Sequence, residues 1–234
     1  MKSILPISIW PGSMINAFLI KGENQHILVD TGVPGSEHKI LNQLEKRNID
    51  KNKIGLIIVT HAHIDHFGSA ARLKKILNIP ILVHKLDEAA YCSGKADKST
   101  MKVNKPQWKL FKLLVQNQET SKFKPDIIIE GDATYDLERW GIKGKVIHTP
   151  GHTPGSLSII LDNNAAIIMD MMASGILLGG LMFHSRIKHP LFHDDLKALK
   201  SSFKKVLSEK GEQFYLGHGK PVNRKQVLKY YHSL

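Results

Sequence analysis

Thr60-His61-Ala62-His63-Ile64-Asp65-His66-Phe67-Gly68 follows directly on a short apolar run, Ile54 to Val59. A run of that length rich in β-branched residues predicts a strand buried on both faces. Architectures built from such strands place their ligands just beyond the strand's carboxyl end. His61 and His63, two apart in extended chain, can aim both imidazoles at one point, while Asp65 and His66 can reach a second point nearby. Imidazole suits zinc, iron and related ions, and an aspartate adds a hard oxygen ligand and negative charge. With 13 His and 12 Asp in 234 residues, chance would produce this H-x-H-x-D-H pattern only about 0.002 times per chain. The rival explanation, three unrelated surface or capping histidines, needs a coincidence of that size, so the stretch is read as a metal-binding motif.

Outward from the motif, the first third of the chain alternates between strands and helices. Ile4 to Trp10, Ala17 to Ile20 and His26 to Val29 are predicted strands, the last two joined by a turn at Gly22-Glu23-Asn24. Ile40, Leu41 and Leu44 give residues 36–46 a helical stripe with Ser36 as its cap, and a helix over about 69–77 leads to a strand at Ile81 to Val83. In the second half Asp126 to Ile129, Ile142 to Ile147, Leu157 to Leu161 and Ala165 to Met169 are strand-like. A helix from Asp194 to Ser208 begins at an acidic residue, Asp194 or Asp195. A short strand, Gln213 to Leu216, and a helix, Lys225 to Tyr231, complete the order. No linker divides the chain, so residues 1–234 are expected to form one domain of the α+β class, two sheets packed face to face with helices outside. Between the halves, Trp108, Phe111, Leu114 and Val115 recur at helical spacing. They predict an inserted amphipathic helix within 95–124, for core or homodimer packing first and a substrate lid second.

Composition narrows the partners. Hydrophobic and charged contents of 42% and 23% are those of an ordinary globular protein, and no apolar run is long enough for a bilayer, so no membrane partner is expected. The net charge of +12 would suit a polyanion, but the lysines are spread along the chain; their main concentration is eight Lys against Asp97 and Glu119 within 95–124. Without an arginine-rich arm, a lysine-rich surface rather than a nucleic-acid partner is the expectation. Cys92 stands alone and the N-terminal stretch carries no small-residue cleavage site, which points to a reducing, cytoplasmic setting.

A second metal position needs more ligands than the motif holds. Three residues stand at strand ends or turns: His152 in Thr149-Pro150-Gly151-His152-Thr153-Pro154-Gly155, Asp170 after an apolar strand, and His218 between Gly217 and Gly219. An acid such as Asp170 beside a buried strand is costly unless paired or metal-bound. With Val29-Asp30-Thr31-Gly32 ahead of the histidine motif, and intervals of 86, 18 and 48 residues from His66 to His152, Asp170 and His218, the chain resembles the metallo-β-lactamase superfamily from about residue 4 onward. The resemblance implies a four-layer αββα sandwich with two divalent cations at one edge of the sheets, zinc first, with iron or manganese accepted by the same ligands. By position, one cation would be held by His61, His63 and His152, the other by Asp65, His66 and His218, and Asp170 would bridge them. Asp30 would orient a ligand from behind. One departure is Met169, where the family often has glycine before the bridging aspartate.

Two cations sharing a hydroxide imply hydrolysis, with Asp65 as catalytic residue orienting that hydroxide and passing a proton to the leaving group. True β-lactamases carry Cys or Ser where Asp170 stands; flavodiiron proteins have Glu where His63 stands; glyoxalase II has a long tail where only 16 residues follow His218, which leaves a glyoxalase-II-like thioesterase without that tail as an alternative. Lactonases share the ligand set but usually carry Tyr three residues after the bridging acid, where Ala173 stands. The apolar stretch Met171 to Phe183 is read first as packing and second as a wall for an acyl group. The expected substrate is therefore a small acyl ester, thioester or lactone. The alternatives are an RNase-Z-like phosphodiesterase, a mononuclear iron persulfide dioxygenase and a non-catalytic scaffold; the last commonly loses ligands, and all seven positions are filled here.

Overall fold

Leu56 and Ile58 leave their strand on one side, Ile57 and Val59 on the other, and all four are fully buried. Such a strand must lie between two layers, and the computed structural model supplies both. It describes residues 3–96, 101, 113, 115, 118–175, 183, 186–190 and 192–234. One six-stranded sheet is built from β1 (Ile4–Trp10), β2 (Ile15–Ile20), β3 (His26–Val29), β4 (Ile54–Ile58), β5 (Ile81–His84) and β6 (Ile127–Ile129), in that order. β1 to β3 pair antiparallel, and β3 to β6 run parallel. The chain then forms β7 (Tyr135–Asp136), β8 (Gly144–His148), β9 (Leu157–Leu161) and β10 (Ala165–Ile167), and a separate ribbon of β11 (Ala173–Ser174) with β12 (Ile187–Lys188). With β13 (Gln213–Tyr215) and β14 (Val222–Asn223) the second sheet has the order β14-β13-β10-β9-β8-β7.

Three clusters of buried side chains separate four layers. Between the sheets, Phe18, Val29, Leu56 and Ile58 meet Val146, Ile159, Ile167 and Tyr215, with Phe18 edge-on to Tyr215 at 5.6 Å. On the far side of the first sheet, Leu28, Ile57 and Val59 pack with Ile40 and Leu44 of α1 (Glu37–Glu45) and Leu73 of α3 (Ala70–Leu77), α2 (Ile64–Phe67) being the single turn inside the motif. On the far side of the second sheet, Ile147, Ile160 and Ala166 pack with Leu199 and Phe203 of α5 (Leu196–Ser208) and Val227 and Tyr230 of α6 (Arg224–Ser233); α4 (Glu88–Ser93) follows β5. The fold is thus the αββα sandwich expected.

Differences from the sequence reading are local. Ser36 does not cap α1: it already has helical torsions, and its N–H donates to Ser69 Oγ at 2.8 Å. At the start of α5 the expectation of an acidic residue, Asp194 or Asp195, holds: Asp195 is the cap, accepting from the Lys197 and Ala198 N–H groups. The strand expected to run to Met169 stops at Ile167, and residues 169–171 form a tight 3-10 turn that swings Asp170 toward the sheet edge. Of the proposed inserted helix, Trp108, Phe111 and Leu114 lie outside the described residues, while Val115 is buried in the outer cluster of the first sheet. Among the described residues no helix is long and apolar enough to cross a membrane.

Because β3 and β4 are parallel, and β8, β10 and β13 share one direction in the second sheet, the loops after these strands gather at one edge. Backbone hydrogen bonds stitch that edge across the sheets: Leu157 N–H to Thr60 O at 2.8 Å and Asn16 N–H to Gly217 O at 2.9 Å.

Candidate metal centre

Each of the seven residues picked from the sequence as a ligand arrives at this edge from the end of a strand, and each is buried. After β4 the chain stays extended through His63 (φ −97°, ψ 143°), then turns into α2, so His61 and His63 project from a loop and Asp65 and His66 from a helical turn. His152 follows β8, Asp170 follows β10 and His218 follows β13. The rings of His61, His63 and His152 lie 4.6–4.9 Å apart, nearly perpendicular to one another, and His152 Nε2 is 2.9 Å from His63 Nδ1. His218 Nε2 is 3.3 Å from Asp65 Oδ2, and His66 Nε2 is 3.7 Å from the same oxygen. Ligand atoms of His61, His63 and His152 lie within 4.8 Å of one another, as do those of Asp65, His66 and His218. Asp170 stands between the two groups: its Oδ2 is 3.6 Å from His152 Nε2 and 3.1 Å from His218 Nε2, and its Oδ1 is 3.6 Å from His66 Nε2.

The far nitrogens are pinned. His66 Nδ1 meets Asp30 Oδ2 at 2.7 Å, His152 Nδ1 meets the Phe192 carbonyl at 2.6 Å and His218 Nδ1 meets the Met14 carbonyl at 2.5 Å. Thr60 donates its only hydroxyl proton to Asp30 Oδ2, so the 3.1 Å contact between Thr60 Oγ1 and His61 Nδ1 must be donated by the imidazole. Four imidazoles are thereby held with Nδ1–H outward and Nε2 turned toward the centre, the arrangement that second partners impose on metal-ligating histidines. Buried atoms with no hydrogen-bond partner among the described residues include His61 Nε2, His63 Nε2, His66 Nε2 and Asp170 Oδ1. Several polar atoms without partners converging in one buried place are costly and fit a divalent cation. Asp30 can also be grouped with His61 and His66, but its carboxylate already accepts from Thr60 N–H and Oγ1 and from His66, which suits orienting rather than ligating.

The electrostatics divide the centre in two. Burial, with neighbouring imidazoles adding to it, holds His61 and His63 well below the usual histidine range. It brings His152 down to about 4 against the pull of Asp170. In the other half burial is outweighed. Asp170, Asp65 and Asp30 raise His66 well above its usual value, and Asp170 and Asp65 raise His218 to about 10. In turn His66 and His218 keep both Asp65 and Asp170 ionised far below the usual carboxylate range despite burial. Two buried carboxylates draw protons onto the imidazoles beside them; a divalent cation among the same atoms would supply that positive charge.

One glycine and one methionine show how tightly the edge is built. A Cβ at Gly217 would overlap the Asp170 carboxylate, so only glycine lets that acid lie against the His218 loop. Met169, the departure from the resemblance, sits at φ +40°, in the left-handed region where glycine is at ease. Glycine there would relieve about 1–2 kcal/mol. Met169 is also 1% exposed, and truncating a buried Met costs about 2–5 kcal/mol. Burial wins: Met169→Gly is expected to lower unfolding free energy by about 1–3 kcal/mol, measured by denaturant titration. A stabilised variant would show that the strain dominates.

A sequence profile of the metallo-beta-lactamase superfamily matches residues 10–218. The chain belongs to that superfamily. A probable metallo-hydrolase, YflN of Bacillus subtilis (strain 168), is 25% identical over 211 residues, covering 85% of this chain and 77% of its own. An N-acyl homoserine lactonase of a Bacillus species is 28% identical over 181 residues, 65% of this chain and 61% of its own. Among solved structures, the archaeal superfamily protein ST1585 from Sulfolobus tokodaii superposes with a TM-score of 0.69 at 22% identity, covering 100% of this chain and 86% of that one. The fold and the metallo-hydrolase character of the superfamily therefore apply to this chain.

Some residues that build the site were not foreseen. The Asn16 side-chain amide donates to the carbonyls of Leu216 and Gly219 on either side of His218. Asp87 bonds to the loops of His63 and His152. Neither Asn16 nor Asp87 gives a signal in the sequence. Of the remaining histidines, His84 and His148 stack on each other, and His189 contacts the Tyr230 hydroxyl. His184 lies outside the described residues.

Proposed function

We propose that this chain is a hydrolase using two divalent cations, zinc first, and acting on an acyl ester, thioester or lactone. One cation is assigned to His61, His63 and His152, the other to Asp65, His66 and His218, with Asp170 bridging. The observation that carries the reading is the position of Asp170, whose two oxygens face imidazoles of both groups. Two bound cations would supply a nucleophilic hydroxide at neutral pH and polarise the electrophilic oxygen. Within that frame the chain's own groups divide the work. Asp30, Thr60 and the carbonyls of Phe192 and Met14 hold the imidazoles in one tautomer. Asp65, ionised and buried, accepts a hydrogen bond from the attacking water, takes up its proton and hands that proton to the leaving group. The similarity to a protein named as a lactonase and the apolar residues following Asp170 support an uncharged acyl substrate. The test is metal analysis of the purified chain followed by turnover of a lactone, a thioester, a phosphodiester and a β-lactam. Activity confined to the phosphodiester would overturn the substrate class, and a chain that retains no metal would overturn the whole reading.

The two halves should also differ in acid. With His152 at about 4, protons do not compete for the three-imidazole group until strong acid. With His218 at about 10 and His66 raised as well, a cation in the other group must displace protons already at neutral pH, and increasingly so as pH falls. Metal content is expected to drop from two per chain at about pH 7.5 to one at about pH 5.5, read by elemental analysis after equilibrium dialysis. Loss of both cations together would contradict the division.

A further inference from the structure

Asp87 is a buried acid to which the reading above gives no part. It occupies the residue before α4, where an aspartate ordinarily caps the helix, but its side chain makes no capping hydrogen bond. Its carboxylate instead reaches the two ligand loops. Oδ2 accepts from the Ala62 N–H at 2.9 Å, between His61 and His63, and from the Thr153 hydroxyl at 2.7 Å, next to His152. Oδ1 accepts from the Gly155 N–H at 2.8 Å. Since Thr153 spends its only hydroxyl proton on Asp87, the 2.9 Å contact between the Thr153 and Ser156 hydroxyls must be donated by Ser156, and Ser156 Oγ in turn accepts from Thr153 N–H. The His152 loop is thus internally braced and tied to the carboxylate at two points. Gly155 provides a separate sign of the same fit. Its backbone is not in the left-handed region, yet a Cβ there would lie 2.6 Å from Asp87 Cγ and 2.7 Å from Oδ1. The glycine is needed for the approach of the carboxylate, not for a turn.

The consequence follows from topology. His61 and His63 come from the first sheet and His152 from the second, so the separation of those imidazoles depends on how the sheet edges are held. We infer that Asp87 is a positioning residue, which sets the spacing between the His61–His63 loop and the His152 loop and with it the affinity and geometry of the cation that these three imidazoles hold. The inference rests on the metal reading above.

Cobalt(II) titration of the full chain tests it, with bound stoichiometry from equilibrium dialysis and the d–d absorption spectrum as readouts; His152→Ala identifies the signal of the three-imidazole group. In Asp87→Asn an amide NH2 must face one of three hydrogen-bond donors, so at least one tie breaks. That cation is expected to bind about 10–100-fold more weakly with an altered spectrum, while the other keeps its affinity. Thr153→Val removes one tie without touching the carboxylate and should weaken the same signal, whereas Thr153→Ser should restore it. Wild-type affinity and spectrum in Asp87→Asn, or equal loss at both cations with Thr153→Val silent, would overturn the inference. A wild-type chain that binds no cobalt would overturn the metal reading beneath it.

Discussion

Asp65→Asn is expected to lower kcat by about 10²–10⁴-fold on whichever substrate of the panel is turned over, with a much smaller change in KM. The carboxylate lies on the first turn of α2, buried, with Oδ2 3.3 Å from His218 Nε2 and 3.7 Å from His66 Nε2. Burial alone would favour its neutral form, but the two imidazoles keep it ionised. A fixed negative oxygen at the centre can both ligate a cation and accept a hydrogen bond from the attacking water. The asparagine amide keeps size and one acceptor oxygen but loses the charge and the capacity to take up a proton. These two losses separate experimentally. If Asp65 serves only as a ligand, excess metal restores both occupancy and kcat. If it also handles the proton, the kcat deficit persists at full occupancy, because the interaction removed belongs to the transition state rather than to substrate binding. Kinetics and metal content measured on the same sample decide, and full activity at full occupancy would take Asp65 out of the proton transfer.

What could be read from the sequence, and what could not, divides along the range of the interactions. The run Ile54 to Val59 betrays a doubly buried strand because both faces must be apolar, and β4 forms there. The proposed ligands show for a similar reason: a metal demands particular side chains, and few other circumstances gather His61, His63, Asp65 and His66 at that spacing. Boundaries fared less well. The apolar character of Met169 extends the apparent strand, while the backbone turns at Ile168 to deliver Asp170, and hydropathy carries no record of a φ of +40°. Ser36 looks like a cap, yet tertiary contact with Ser69 claims its backbone N–H. Asp87 and Asn16 were silent because their partners are mostly main-chain groups brought near by the sandwich, Asn16 acting across about 200 positions of chain. A hydrogen bond to a distant carbonyl leaves no periodicity and needs no special partner residue. Asp30 was legible only through the motif around it, although its torsion (φ +58°) is one that aspartate tolerates better than most residues.

Asp30→Ala should cost the fold about 3–5 kcal/mol, the usual penalty for removing one member of a buried charged pair. At about 2–4 °C per kcal/mol for a chain of this size, the Tm should fall by about 6–20 °C. Asp30 is fully buried, and its carboxylate accepts from Thr60 N–H and Thr60 Oγ1, each at 2.7 Å, and from His66 Nδ1 at 2.7 Å. Alanine leaves all three donors without that acceptor in a place water does not reach, and it disfavours the left-handed backbone as well. Asp30→Asn separates stability from metal binding. Its carbonyl oxygen can still accept from the Thr60 N–H and its torsional preference suits the site, so the loss of Tm should be smaller. Its NH2, however, would face the His66 Nδ1–H, and the imidazole escapes that clash by moving its proton to Nε2, the atom that the metal reading turns toward the cation. Asp30→Asn is therefore expected to weaken the cation of the Asp65, His66 and His218 group by about 10–100-fold while leaving the three-imidazole group loaded. If Asp30→Ala and Asp30→Asn lose the same stability and neither changes metal content, Asp30 braces the sheet edge without governing the tautomer of His66.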